Sequence, residues 1–307
     1  MVVGRVAVLC RKVNEMKRSF GNKVNIFLFL LPALLLFFGI LIAPVVLSAY
    51  YSFFDWNGFG AKTFIGFSNY KELFTSDAIG FLKALRNSLL LAGLSVFVQL
   101  PLSLGLALLL GRGIKGERAF LSIYFMPVLI STVVIGQLWL KIYNPSYGVL
   151  NVALRGMGLD SLAKTWLGKT ETALGACFVP ILWQYVGYHM LLMYAGIKSV
   201  PPELREAAML DGATDGQINR YIVIPYIKPI LKVSIIFAIT GSLKSFDLIY
   251  VLTNGGPFHA TEVPSTLMIN MLFLRNRYGM GSTIAVMLIA ICFFFSLLVS
   301  AFFREED

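Results

Sequence analysis

The amino-acid sequence predicts an all-α integral membrane protein of six transmembrane helices with a cytoplasmic helix-turn-helix. Three observations carry this. The 307 residues are 57% hydrophobic and only 14% charged, with a mean hydropathy of +0.76, where soluble domains are about a quarter charged. Stretches free of Asp, Glu, Lys and Arg cover 24–54, 87–111, 119–140, 172–197 and 278–303, each long enough for the roughly 20 residues that cross hydrocarbon. A sixth apolar stretch, 230–252, is interrupted by Lys244 and Asp247. The basic residues, finally, are distributed unevenly between the loops.

A net charge of +10 in a soluble protein would suggest nucleic acid, but its placement assigns it to membrane orientation instead. Arg5, Arg11, Lys12, Lys17, Arg18 and Lys23 precede the first apolar block, and Arg112, Lys115 and Arg118 occupy the short loop 112–118. These segments are expected inside, with both termini cytoplasmic and loops 54–86, 141–171 and 253–277 external. A basic tail, 1–25, thus leads into a six-helix domain, 26–307. The first block exceeds a signal-peptide core and lacks a clear cleavage site, so it reads as a retained helix. Cys10, Cys177 and Cys292 have no paired spacing, and His189 and His259 are the only histidines; neither a disulfide framework nor a metal site is expected.

The elements follow in order. Val2–Leu9 suits a brief interfacial turn. The first span contains Pro32 and Pro44, tolerable where neighbours resupply backbone partners, and ends in the aromatic belt Tyr50, Tyr51, Phe53, Phe54 and Trp56. The second holds Pro101 and Gln99, an amide that wants an interhelical partner. The third holds Pro127, Gln137 and Trp139. Gly168-Lys169-Thr170 is not a phosphate loop, since Ala163 occupies the required first glycine position. Any ATP chemistry therefore belongs to another chain. In the fourth span Gln184 and Tyr188 stack at i and i+4 beside Trp183, Tyr185, Gly187 and His189. Polar-tipped aromatics suit either an aqueous path or bundle packing, and His189 reads as a packing residue. The fifth span carries Ser234, Thr240, Ser242, Lys244, Ser245 and Asp247. Its two ionisable groups pair with each other or face water, or Asp247 reaches the external interface.

Between the fourth and fifth spans lies the polar segment Ser199–Pro229. Pro201 and Pro202 fit the first turn of a helix, Glu203 and Glu206 complement its positive end, and Leu204, Ala207 and Ala208 share a face. Gly212 supplies a stop, and Thr214 with Gln217 forms a capping box that opens a second helix.

Glu206-Ala207-Ala208, three residues, Gly212, nine residues and Ile222-Val223-Ile224-Pro225 resemble the E-A-A-x3-G-x9-I-x-L-P signature of ABC-importer permeases, with Ile224 where Leu is usual. Phe64–Tyr70 resembles F-x-G-x-x-N-Y, Tyr143–Asn151 resembles Y-N-P-x-x-G-x-x-N, and Leu252–Pro257 with Thr261 resembles L-T-x-G-G-P-x-x-x-T. Together these resemble the first permease subunit of carbohydrate-uptake ABC importers of the maltose and glycerol-3-phosphate type. The resemblance implies the type I importer permease fold in a bacterial cytoplasmic membrane. It implies a second permease subunit, a cytoplasmic ABC ATPase dimer that carries ATP and Mg, an external solute-binding protein, and a sugar or polyol substrate; the chain itself has no cofactor and performs no bond chemistry. Glu206, Ala207, Ala208, Asp211 and Gly212 would couple to the ATPase. Gly216 stands where many relatives have an aromatic residue, which would move docking onto Ile218 and Leu210. Substrate contacts would come from Gln184, Tyr185, Tyr188, Ser242 and Ser245. The alternatives are a gradient-driven secondary transporter, which often shows internal repeats not clear here, and a non-transporting assembly subunit, for which polar faces on the fourth and fifth spans have no purpose.

Overall fold

A computed structural model describes residues 23–303. The basic residues Arg5–Arg18 and the turn expected at Val2–Leu9 lie outside the described residues. The chain divides into two units at Tyr51/Ser52. The first contains α1 (Asn25–Tyr51), a 27-residue apolar helix with no buried residue. Its π turn, Phe37–Ile42, ends just before Pro44, where the backbone ladder loses a donor.

The second unit opens with a two-stranded hairpin, β1 (Phe54–Asp55) against β2 (Thr63–Phe64), with Phe54 opposite Phe64. Helix α2 (Ser68–Thr75) follows. Its Asn69 is 3% exposed and donates to the carbonyls of Ser52 (2.8 Å) and Phe54 (3.0 Å), so the F-x-G-x-x-N-Y segment clasps the hairpin. At the far end of α2, Arg277 makes a bidentate pair with Glu72 at 2.8 and 2.6 Å.

Five helices among the described residues are long and apolar enough to cross a membrane, and a bent pair makes a sixth span. α3 (Phe81–Leu110) starts ahead of the expected Asn87. The uncharged window begins only after Lys83 and Arg86, and these ride on the first turns of the helix. The third span is not one straight helix: α4 (Glu117–Leu129) and α5 (Thr132–Ile142) are bent by 96°. Pro127 weakens the last turn of α4, and Ile130 and Ser131 adopt extended backbone angles. After α6 (Val149–Gly156), α7 (Thr170–Lys198) forms the centre of the bundle, packing on α3 and α4.

The polar segment is a helix, a turn and a second helix, as its sequence predicts: α8 (Pro202–Leu210) and α9 (Asp215–Ile218). α10 (Lys228–Leu243) and α11 (Asp247–Thr253) make the fifth span, broken between them. α12 (Pro264–Leu274) and α13 (Tyr278–Phe302) complete the fold. α10 lies against α3 and α13, and α11 against α5. One apolar cluster at the α8–α9 end joins Leu110, Met193, Ile197, Ile218, Val223 and Ile227. Another joins Ile135, Cys177, Phe178, Leu248 and Ile249 near the opposite end of α7.

The α4–α7 contact depends on Gly187, where a Cβ would lie 1.8 Å from the Tyr124 carbonyl oxygen. Backbone cannot yield there as a flexible side chain would. Gly187→Ala is therefore expected to destabilise the bundle by about 1–3 kcal/mol, measured as an earlier thermal transition of the detergent-solubilised protein. The Glu72 pair has a pH signature. Hydrogen bonds from Arg277, opposed by partial burial, hold the Glu72 carboxyl below its ordinary value of 4.5. A depressed carboxylate pKa stabilises the fold above that ordinary value, and the contribution is lost as pH falls through the folded one. Because the two side chains remain 37% and 40% exposed, Arg277→Met should cost no more than about 1 kcal/mol at pH 7. Melting curves of the two proteins should converge in acid.

Candidate functional site

A cavity of about 350 Å³ opens between α3, α5, α7 and the α10–α11 break. All five residues expected at a substrate site, Gln184, Tyr185, Tyr188, Ser242 and Ser245, line it, together with Gln99, His189, Lys244 and Asp247. Helical phase brings Gln184, Tyr185 and Tyr188 of α7 to this wall. The opposite wall comes from a different device. α10 stops at Leu243, and Phe246 has φ −141° and ψ −63° before α11 begins at Asp247. Interrupting a helix at membrane depth leaves backbone groups without ladder partners, a conformation tolerated where it faces a cavity.

The polar groups of the cavity are not equally available. The Ser242 hydroxyl donates to the Ala238 carbonyl at 2.7 Å and lies 3.0 Å from Ser95 Oγ, so it is largely engaged in joining α10 to α3. Gln99 Nε2 donates to the Leu182 carbonyl at 2.9 Å, the interhelical bond its sequence position calls for. By contrast Gln184, 2% exposed, has no hydrogen-bond partner for its Oε1, and His189, 3% exposed, has none for Nδ1. Buried polar atoms are normally paired, and both residues belong to the cavity lining. Sequence reasoning assigned His189 to packing; its ring does pack, 5.2 Å from Tyr188, yet it also lines the space. Trp183 meets Trp139 at 6.0 Å, a packing role.

Lys244 and Asp247 both face the cavity as exposed side chains. Ion pairs among the described residues include Arg112–Asp215, Lys198–Glu117, His259–Glu262 and Arg277–Glu72, and Lys244 and Asp247 are in none of these. The two cavity charges therefore face open space and not each other.

Above α11 the L-T-x-G-G-P segment is a tight clamp. Thr261 Oγ1 donates to the Gly256 carbonyl at 2.7 Å and pairs with Thr253 Oγ1 at 2.7 Å. Asn87 donates to the carbonyls of Ala260 (3.0 Å) and Glu262 (2.8 Å). Glu262 was not expected from sequence. It is 3% exposed, and its carboxylate is met by His259 Nδ1 at 2.5 Å and Asn270 Nδ2 at 3.1 Å.

At the other end of α7 and α10, α8 closes with a Schellman arrangement: Ala213 N–H donates to the Ala208 carbonyl at 2.9 Å and Gly212 N–H to that of Met209 at 3.0 Å. Gly212 has φ +80°, a left-handed angle that side chains resist. The Thr214–Gln217 capping box is formed. Glu206, Ala207, Asp211 and Gly212 are exposed and Ala208 is half-buried. Leu204, Met209 and Leu210 add apolar surface, with Leu210 90% exposed. Ile218 departs from expectation. At 4% exposure it belongs to the apolar cluster with Leu110 and Val223, so it anchors α9 inward and leaves Leu210 as the outward apolar residue.

Residues 99–305 match the family described as binding-protein-dependent transport system inner membrane component. The chain belongs to that family. The permease is 41% identical, over 86% of its length and 90% of the relative's, to a probable ABC transporter permease protein of Pyrococcus horikoshii. It is 34% identical, over 91% of its length and 82% of the relative's, to the diacetylchitobiose uptake system permease protein NgcF of Streptomyces coelicolor. A chain of a bacterial alginate ABC transporter, solved in complex with an alginate pentasaccharide-bound periplasmic protein, superposes with a TM-score of 0.79 at 25% identity, covering 95% of the permease and 96% of that chain. The architecture is that of an ABC importer permease, multi-pass in the membrane.

Proposed function

We propose that the permease forms half of the translocation path of an ATP-driven sugar importer, with Gln184, Tyr185, Tyr188, Ser242 and Ser245 contacting the sugar in passage. The observation that carries this is the cavity at the α10–α11 break, where residues with buried unpartnered polar atoms, polar-tipped aromatics and unwound backbone converge. A polyhydroxylated molecule supplies donors and acceptors to each of them, and its apolar ring faces suit tyrosine. Sugar-handling relatives support the substrate class. Ser242, already engaged with Ser95 and Ala238, shapes the wall more than it donates.

In this reading α8 is the docking element for a separate ATPase dimer that holds ATP and Mg, and the α8–α9 end is cytoplasmic with both termini. Exposed Leu210 and Met209 flank the small Ala207 and the Gly212 turn, a surface that fits a groove. An external solute-binding protein delivers the sugar, by analogy with the periplasmic protein of the alginate system. A second permease subunit completes the path. The open, mostly apolar groove of about 710 Å³ along α12 and α13, lined by Met268, Leu288, Ile289 and Phe293, suits such a neighbour.

The walls of the cavity descend into opposite halves of the docking segment: α7 runs into α8, and α9 leads through a π turn, Asn219–Val223, to α10. Relative movement of α8 and α9 about Gly212 would thus alter the cavity. Gly212→Asp is expected to abolish uptake of radiolabelled sugar in cells while membrane insertion stays normal; wild-type uptake by that variant would sink the docking assignment. Gln184→Met, of similar length, removes the unpartnered acceptor and should lower uptake roughly tenfold or more, as loss of a buried hydrogen bond of about 1.5 kcal/mol implies, with ATP hydrolysis retained.

A further inference from the structure

Two side chains hydrogen-bond across the corner between α7 and α8: Ser199 Oγ donates to the Gly196 carbonyl at 2.7 Å, and Arg205 reaches back from α8. Ser199, Val200 and Pro201 connect the helices covalently, and such a short link bends unless something bridges it. Arg205 bridges it, donating from Nη2 to the Ile197 carbonyl at 3.1 Å. That carbonyl lies in the last turn of α7, beyond the reach of an i+4 donor; its backbone contacts are the C-cap N–H of Ser199 and Val200 N–H at 3.4 Å. A guanidinium at the negative end of a helix is also electrostatically favourable. Arg205 Nε is buried without a hydrogen-bond partner, so the side chain is drawn into the corner and is not a solvated surface arginine.

α7 is also held closely to α4. Tyr194 donates to the Glu117 carboxylate of α4, and Lys198 Nζ lies 3.4 Å from the same carboxylate. Farther along, Gly187 packs against the Tyr124 backbone. α4 and α7 are therefore one body, and Gln184, Tyr185 and Tyr188 stand on it roughly three turns from Ile197.

We propose that Arg205 is the positioning residue that makes α8 and α7 a single lever, so that displacement of α8 tilts the Gln184–Tyr188 wall of the cavity. The inference rests on the reading of α8 as the ATPase-docking helix. A flexible corner would let α8 follow its partner while α7 stayed still, and nucleotide turnover would then be disconnected from the cavity.

The test reads the cavity directly and needs no sugar. Tyr185 of α7 lines the space and is 40% exposed; Tyr185→Cys is introduced into a chain whose Cys10, Cys177 and Cys292 are replaced by serine. The chain is assembled with its ATPase and second permease in proteoliposomes and labelled with a membrane-impermeant maleimide, with and without ATP and orthovanadate. With Arg205 present, trapping should change the labelling rate about fivefold or more. Arg205→Ala should reduce that change to less than about twofold while ATP hydrolysis continues, and Arg205→Lys, which still reaches the carbonyl, should restore much of it. A full labelling change in Arg205→Ala overturns the proposal, as does joint loss of assembly and ATP hydrolysis in both variants, which would make the residue merely structural. Absence of any labelling change with Arg205 intact would instead overturn the docking reading itself, and this inference with it.

Discussion

A peptide group at membrane depth has no water to bond with, so its partner must come from the protein or from a polar space the protein encloses. Most of this chain meets the requirement with continuous helix. Besides the bend at Ile130–Ser131, the exception is Lys244–Phe246, where α10 ends and α11 has not begun. Much of the surrounding structure serves that exception. Ser95 meets Ser242 on one side, the Thr253–Thr261 clamp holds α11 above, and Gln99 fixes the neighbouring wall through the Leu182 carbonyl. The cavity is the space in which this interruption is tolerated, and its lining follows: exposed Lys244 and Asp247, and Gln184 and His189 with their buried polar atoms.

Glycine and proline positions were the most legible part of the sequence, because they report local backbone geometry. Gly212 and the Thr214–Gln217 box marked the turn between α8 and α9, and both have the expected conformations. Pro201 and Pro202 marked where α8 begins. The residues gathered at the cavity were legible through helical spacing and family likeness, since Gln184 and Tyr188 are one turn apart and the polar residues of the fifth span flank its interruption.

What was not legible depends on contacts between distant segments. Glu262 looked like an external loop residue, yet Asn87, His259 and Asn270 converge on it, and nothing in its local sequence announces burial. Ile218 sits on a four-residue helix, too short for its inward phase to be read from a hydrophobic pattern. The 96° bend between α4 and α5 occurs inside an uninterrupted apolar run, where composition reports length but not direction. The role of Arg205 has no local signal in the sequence, because its acceptor belongs to the helix before it.

Lys244 and Phe246 are walls of two spaces at once, the polar cavity on one side and the apolar groove along α12 and α13 on the other. A substitution at either position therefore alters both surfaces together. The shapes of the cavity and of the groove cannot drift independently at these two positions.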